Sequence, residues 1–260
     1  ADPPAIRSIL VALDDACSDR ETMETAAHLA ADLHAELQGL YVEDVNVLRM
    51  AALPFTEEIT AASGIARPID AESMQRAMQN KAEHVRRILE RTAASARIRW
   101  SFSVARGRVT QSALLATRKA DLVLFGSRSH APAVRPPLGA RTRSAARPIV
   151  AVVDASAVSA RTLDTAAAVG ERQRRGIVVL ICGGERDVAE QLSGSVRDRL
   201  SARGVEVNVP PGLVGTIAAL VQSAQAQRAA LVLLSRDCRL LDEVAVQTLI
   251  ENLDCPIVLV

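Results

Sequence analysis

The sequence predicts an α/β protein of the doubly wound type, in which one unit of alternating strands and helices occurs twice. Continuous apolar runs without polar alternation, such as Leu122–Phe125 and Ile149–Val153, are typical of parallel strands covered on both faces. Helical periodicity fills the intervals between these runs. The pattern of residues 9–14 and 25–27 recurs at 149–154 and 165–167, an offset of 140 residues, which indicates an internal duplication.

Composition limits the classes of function. The chain has 260 residues with 31 basic and 30 acidic side chains, so a net charge near zero gives no reason to expect a nucleic-acid or membrane partner. Aromatic residues make up only 2% of the chain, too few for the stacking surfaces of single-strand nucleic-acid binders. No apolar run reaches membrane-spanning length, and the first residues lack the regions of a signal peptide. We therefore expect a cytoplasmic protein.

The four cysteines follow no metal-binding or redox spacing. Cys17, Cys182, Cys238 and Cys255 are scattered, without a C-x-x-C motif or a paired histidine. We expect them to be small buried hydrophobic residues or reduced thiols.

The first copy is predicted element by element. An apolar run ends in Asp14, a helix with periodic alanines follows, and Gly39 is expected to end that helix before a short strand at 40–42. Residues 43–67 are expected to be an irregular excursion with one short helix. A long helix from Asp70, an edge strand that alternates over 98–104 and a helix at 110–119 then lead to the central strand 122–125.

The second copy is shorter and shares a segment with the first. Its strands are expected at 176–181, 205–209, 231–234 and 256–260, with helices at 188–202, 214–228 and 242–253. Residues 148–153 fit both the last strand of the first copy and the first strand of the second. Because Asp154 and the helix after it follow the strand-one pattern, we place this segment centrally in the second sheet. The first sheet then lacks its fifth strand, and we expect an open edge through which a homodimer forms.

The segment between the two central strands is cationic. No carboxylate occurs between Asp121 and Asp154, whereas five arginines fall in that window: Arg128, Arg135, Arg141, Arg143 and Arg147. A small anion is the expected ligand at the carboxyl end of the first central strand.

The whole chain resembles a tandem universal stress protein, of the superfamily of adenine-nucleotide-binding α/β domains. The loop motif of the nucleotide-binding branch, G-x2-G-x9-G-S/T, is present in spacing but altered in two of its four identities. Gly126 and Gly139 are kept, whereas Ser129 replaces the second glycine and Ala140 replaces the hydroxyl residue. Glycines let backbone N–H groups approach phosphate oxygens, so these losses weaken binding unless arginines such as Arg128 and Arg141 compensate.

The resemblance carries further expectations. It implies two doubly wound three-layer α/β/α domains, 1–147 and a reduced 148–260, with parallel sheets in the strand order 3-2-1-4-5. It places Asp14 beside the adenosine and the Val42 backbone beside the adenine, although capping the following turn is an equal alternative for Asp14. In the second copy Ser235 replaces the first glycine, and the shortened loop leaves no room for a triphosphate.

Three functions stay open at this point. The first is a stress-associated binding protein whose first copy weakly holds ATP, AMP or another small anion, without catalysis. The second is a ligand-free scaffold for protein contacts. The third is a weak ATP hydrolase, for which His130 in the loop is the catalytic candidate, because the other histidines are expected on helices.

Overall fold

A computed structural model describes residues 6–14, 20–51, 53, 57–59, 66–68, 71–116, 120–126, 147–154, 157–183 and 186–260. The first half contains β1 (Ser8–Leu13), α1 (Arg20–Leu33), β2 (Glu36–Asp44), α2 (Val45–Ala51), β3 (Glu57–Ile59), β4 (Ala66–Pro68), α3 (Ala71–Ala96), β5 (Trp100–Gly107), α4 (Val109–Ala116) and β6 (Leu122–Phe125). The second half contains β7 (Ile149–Val153), α5 (Ala157–Gln173), β8 (Ile177–Cys182), α6 (Arg186–Ser201), β9 (Val207–Asn208), β10 (Leu213–Val214), α7 (Ile217–Ala226), β11 (Leu231–Leu234), α8 (Glu243–Asn252) and β12 (Ile257–Leu259). The division into domains at residue 147 stays a prediction.

Each half has the predicted arrangement of parallel strands. In the first half the order is β5-β2-β1-β6, which is 3-2-1-4 when the strands are numbered within that half. In the second half β7 lies between β8 and β11, and β12 follows β11. The predicted fold class is therefore confirmed, and so is the central position of residues 149–153 in the second half.

The two halves form one sheet and not two, which corrects the expectation of separate sheets. Among the described residues, ten strands form a single sheet, and β12 pairs with β6 in antiparallel register, with Val258 opposite Leu124. The fifth strand of the second half thus occupies the position that the first half leaves empty. Strands on either side of this junction run in opposite directions, so the carboxyl ends of the two halves lie at opposite margins of the sheet.

The open edge predicted for the first half does not exist, and the prediction of a homodimer through it was wrong. The backbone N–H and C=O groups of β6 and β12 that would face outward pair with each other. Neither strand is therefore an edge strand. The edge strand predicted at 98–104 is found at Trp100–Gly107, because among the described residues β5 pairs only with β2 and ends the sheet.

The apolar core is continuous across the junction. On one face of the sheet a row of partnered residues crosses both halves and packs under α1, α3, α5 and α6. The row consists of Val179, Ala151, Leu233, Val258, Leu124 and Val11. The opposite face packs under α4, α7 and α8. This is a three-layer α/β/α architecture shared by both halves.

Gly39 lies inside a strand, and the prediction that it ends the first helix was wrong. The helix ends at Leu33, and His34 takes the left-handed conformation, with φ of 54°, that allows the chain to turn. Gly39 then lies where Leu89 and Phe102 cross β2, and a Cβ atom there would be 2.5 Å from Leu89 Cδ2. The glycine is needed for packing.

Candidate functional site

The predicted ligand residues that the structure describes meet at the carboxyl ends of the first-half strands. Asp14 follows β1, Val42 lies near the end of β2, and Gly126 follows β6. The chain order reverses between β1 and β6, and ligands of open α/β sheets bind at such a reversal. Asp14 and Val42 line an open cleft with a volume of about 570 Å³. This volume lies within the roughly 300–1,000 Å³ of small-molecule sites.

Two other segments of the first half complete the near walls of this cleft, which we call the first-half cleft. Asp44 and Asn46 lie where β2 passes into α2, and the Asn46 N–H donates to Asp44 Oδ1 at 2.8 Å. Gly107, Arg108 and Thr110 lie where β5 passes into α4. A positive φ of 152° at Gly107 turns the chain at the end of the edge strand.

The far wall comes from the second half. Helix α8 packs on α4 across the junction and lines the cleft with Glu243, Val244, Gln247, Thr248 and Glu251. Arg108 and Glu243 approach across the cleft, with Nη1 and Oε1 4.0 Å apart. A ligand in the first-half cleft would therefore contact both halves of the chain.

The described lining of the first-half cleft is acidic, whereas the predicted cationic segment lies mostly outside the described residues and stays a prediction. Asp14, Asp44, Glu243 and Glu251 contribute four carboxylates, against one guanidinium from Arg108. Such a lining favours hydrogen-bond donors such as hydroxyl and amino groups over phosphate. Any phosphate must therefore be held by other residues.

Most of the predicted phosphate loop lies outside the described residues. This applies to Arg128, Ser129, Gly139, Ala140 and Arg141, and also to His130. Arg147 at the end of the predicted cationic segment is described. Its Nε donates to the Arg228 carbonyl at 3.0 Å, and its Nη2 donates to the Ala229 carbonyl at 2.6 Å. Arg147 therefore serves to join the segment to the second half.

The matching residues of the second half bond to neighbouring protein groups. Ser159 Oγ donates to Asp154 Oδ1 at 2.8 Å and accepts from the Asp154 N–H at 2.9 Å, so Asp154 is bonded to the first turn of α5. Cys182 stands 140 residues after Val42, and its Sγ is 3.6 Å from that of Cys238. Ser235 is buried and accepts from the Asp237 N–H.

Neither a metal centre nor a membrane span is found in the described ranges. Within them, no three histidine, cysteine or carboxylate side chains are grouped so as to hold a metal ion. None of the helices described there has the length and apolar character needed to cross a membrane.

Sequence reasoning missed most of the lining of the first-half cleft. Gly107 and Arg108 could have been predicted. They follow a strand parallel to the first two, and the carboxyl ends of parallel strands lie at the same side of the sheet. The residues of α8 could not be predicted in this way. Their position depends on the antiparallel junction between β6 and β12, more than 100 residues apart in the chain.

Comparisons with known proteins support the fold. No protein-family model matches the chain, and no curated protein matches it. A universal stress protein from Archaeoglobus fulgidus DSM 4304 superposes with a TM-score of 0.58 at 13% identity, covering 97% of this chain and 95% of that one. A putative universal stress protein from Pseudomonas aeruginosa UCBPP-PA14 gives a TM-score of 0.48 at 13% identity, covering 98% and 93%. The superposition on the Archaeoglobus fulgidus protein shows that the chain has the fold of a universal stress protein along nearly its whole length.

Proposed function

We propose that this chain, which has the universal stress protein fold, binds an adenine nucleotide in the first-half cleft and acts as a stress-associated binding protein. The observation that carries the proposal is the position of the cleft. It opens at the carboxyl ends of β1 and β2, beside the reversal of strand order, with Asp14 and Val42 in its lining. The fold likeness supports the proposal at the level of architecture.

The lining of the cleft suits the nucleoside part of such a ligand. Carboxylates accept hydrogen bonds from ribose hydroxyls and from the exocyclic amino group of adenine. The proposal gives this role to Asp14 and Asp44, which line the cleft on the first-half side, and to Glu251, which lines it on the α8 side. The proposal assigns the contact with the base to the backbone of Val42, near the end of β2.

The phosphates are assigned to the arginine-rich segment. The proposal gives this role to Arg128 and Arg141 and to the backbone amides of Ser129, Gly139 and Ala140. Guanidinium groups hold phosphate oxygens bidentately, and the local positive charge of this segment offsets the carboxylates of the cleft. Binding is expected to be weak because two residues of the glycine-rich motif are replaced.

The acidic lining favours a second candidate, the ligand-free scaffold. Four carboxylates in one cleft repel the phosphates of a nucleotide unless the arginine segment neutralises them. If no nucleotide binds, the contact between α8 and the first half serves only to hold the two halves together. The two candidates differ in whether a nucleotide gives a heat of binding and stabilises the folded protein.

Calorimetric titration of the full chain with adenosine, AMP and ATP separates the candidates. Val244 is 73% exposed on the α8 wall, so Val244→Trp obstructs the cleft without disturbing the core. Val188, on α6 of the second half, is also exposed, and Val188→Trp is the matched control. We expect saturable binding by the wild type and the control, and affinity at least about tenfold weaker in Val244→Trp.

Salt dependence tests the assignment of the phosphates. Affinity for ATP should fall as salt rises, whereas affinity for adenosine should not, because only ATP contacts the arginines. Flat traces with all three compounds would refute nucleotide binding and leave the scaffold. Equal affinities of the wild type and Val244→Trp would place the ligand outside the first-half cleft.

A further inference from the structure

Two buried cysteines of the second half have their sulfur atoms in contact. Cys182 ends β8, and Cys238 lies in the turn between β11 and α8. Their Sγ atoms are 3.6 Å apart, and both thiols are free. Strands β8 and β11 flank β7, so the fold brings these residues together across 56 positions of sequence.

We propose that Cys182 and Cys238 form a thiol pair that a hydroperoxide oxidises to an intramolecular disulfide. A disulfide needs a sulfur separation of about 2.05 Å, so the two atoms must approach by roughly 1.5 Å. Cys182 is held in a buried strand. The turn that carries Cys238 belongs to neither a helix nor a strand, and it supplies the movement.

The surroundings of Cys238 favour its thiolate. A hydrogen bond from the Cys182 thiol, helped by one from the Leu240 backbone, lowers the pKa of Cys238 to about 7, although burial acts in the opposite direction. The same hydrogen bond and burial raise the pKa of Cys182, so Cys238 is the cysteine of the pair that ionises first. Thiolates are the reactive form of cysteine, which makes Cys238 the attacking residue.

The reaction balances with one hydroperoxide. The Cys238 thiolate attacks the terminal oxygen, the O–O bond breaks, an S–O bond forms and the alkoxide leaves with a proton as the alcohol. Cys182 then loses its proton and attacks the sulfur of the Cys238 sulfenic acid. An S–S bond forms, the S–O bond breaks and hydroxide leaves as water. The two thiols lose two electrons in total, which the peroxide accepts.

A small oxidant can reach the pair through the turn. Cys238 is only 5% exposed, but its neighbours Asp237 and Arg239 are exposed on either side of it. Cys255 offers an internal comparison, because it is equally buried at 4% exposure. Burial raises the pKa of Cys255 to about 12, so it stays a thiol at neutral pH.

The test is peptide mapping after mild oxidation. The full chain is treated with hydrogen peroxide at pH 7.5, free thiols are blocked after unfolding, and tryptic peptides are analysed by mass spectrometry. We expect peptide 176–186 to be linked to peptide 237–239, which contain Cys182 and Cys238. The rate of linkage should rise with pH and level off above about pH 7, whereas the rate for a thiol of ordinary pKa would keep rising to about pH 9.

Two variants control the experiment. Cys255→Ser should form the same link at the same rate, whereas Cys238→Ser should keep the Cys182 thiol. Circular dichroism verifies that each variant is folded, and Cys238→Ala replaces Cys238→Ser if the serine variant is not. The proposal is overturned if no link forms, if Cys238 is over-oxidised without a link, or if the link joins separate chains.

Discussion

Arg161 of α5 donates from Nη2 to Oδ1 of Asp121, 3.2 Å away, and so joins the helix layer of the second half to the strand that ends the first-half sheet. The other oxygen of Asp121 accepts from the Arg7 N–H at 2.9 Å and from the Ser8 N–H at 3.2 Å. Arg236, in the turn after β11, donates to the Asp121 carbonyl at 2.6 Å. One residue therefore ties together the start of β1, the start of β6 and two elements of the second half.

Asp121→Asn should lower the free energy of unfolding by about 1–3 kcal/mol, because the amide keeps at most part of these bonds and loses the charge that pairs with Arg161. Urea denaturation followed by circular dichroism measures the change. Asp198→Asn is the matched control, since Asp198 is exposed on α6, and its effect should stay within about 0.5 kcal/mol. Equal effects of the two substitutions would show that Asp121 does not join the halves.

The contribution of Asp121 should vanish in acid. Burial alone would raise the pKa of Asp121, but hydrogen bonds from Arg7 and Ser8, together with Arg161, lower it below the ordinary value. A lowered pKa in the folded state means that the stabilisation is fully present above the unfolded pKa of about 4. It is lost as the pH falls through the folded value.

The difference in urea midpoint between the wild type and Asp121→Asn should therefore be constant from pH 6 to 8 and shrink below about pH 4. A difference that grows in acid would contradict the lowered pKa.

Glu43 and Arg106 form a half-buried ion pair across β2 and β5. They are directly opposed in register, and Arg106 Nε donates to Glu43 Oε2 at 3.0 Å. The Glu43 side chain is 7% exposed, so Arg106→Ala leaves a carboxylate that is poorly solvated. We expect a loss of about 1–2 kcal/mol in urea denaturation, reduced when Glu43→Gln is added.

An exposed pair on α1 gives the control for this substitution. Arg20 and Glu24 are 81% and 44% exposed, and Arg20→Ala should cost no more than about 0.5 kcal/mol. If Arg106→Ala costs the same as Arg20→Ala, burial of Glu43 does not strengthen its pairing.

Gly39→Ala should destabilise the fold by about 1–3 kcal/mol, since its Cβ would lie 2.5 Å from Leu89 Cδ2 and 2.9 Å from Phe102 Cδ2. Gly194→Ala is the matched control. Gly194 lies inside α6, where a Cβ atom would have no neighbour within 4 Å, and alanine there should raise the free energy of unfolding by up to about 1 kcal/mol. Thermal unfolding of both variants checks the predicted opposite signs. A neutral Gly39→Ala would refute the close packing of α3 on β2.

Local sequence patterns predicted most of the elements, because buried strands and helices each impose their own periodicity. The apolar runs at β6 and β7 marked central strands, and the helix predicted at 242–253 is found as α8. Gly39 misled the prediction because glycine is a local helix-end signal. Here glycine is required because side chains of α3 and β5 pack against its Cα.

Contacts between the halves left no local signal. The pairing of β6 with β12 depends on two edges that become available only when both halves have folded. The α8 wall of the first-half cleft follows from that pairing and not from any motif. The two carboxylates that α8 adds to the lining, Glu243 and Glu251, were therefore missed.

The position of β12 is the central structural claim, and an engineered disulfide tests it most directly. Leu124 and Val258 are opposed across the junction, so Leu124→Cys/Val258→Cys in a Cys255→Ser background should link peptides 120–128 and 240–260 within one chain. Leu233 lies in the same row beyond β12, about 9–10 Å from Leu124, so Leu124→Cys/Leu233→Cys should not link. A link in the second variant and none in the first would show that β12 does not fill the edge of the first half.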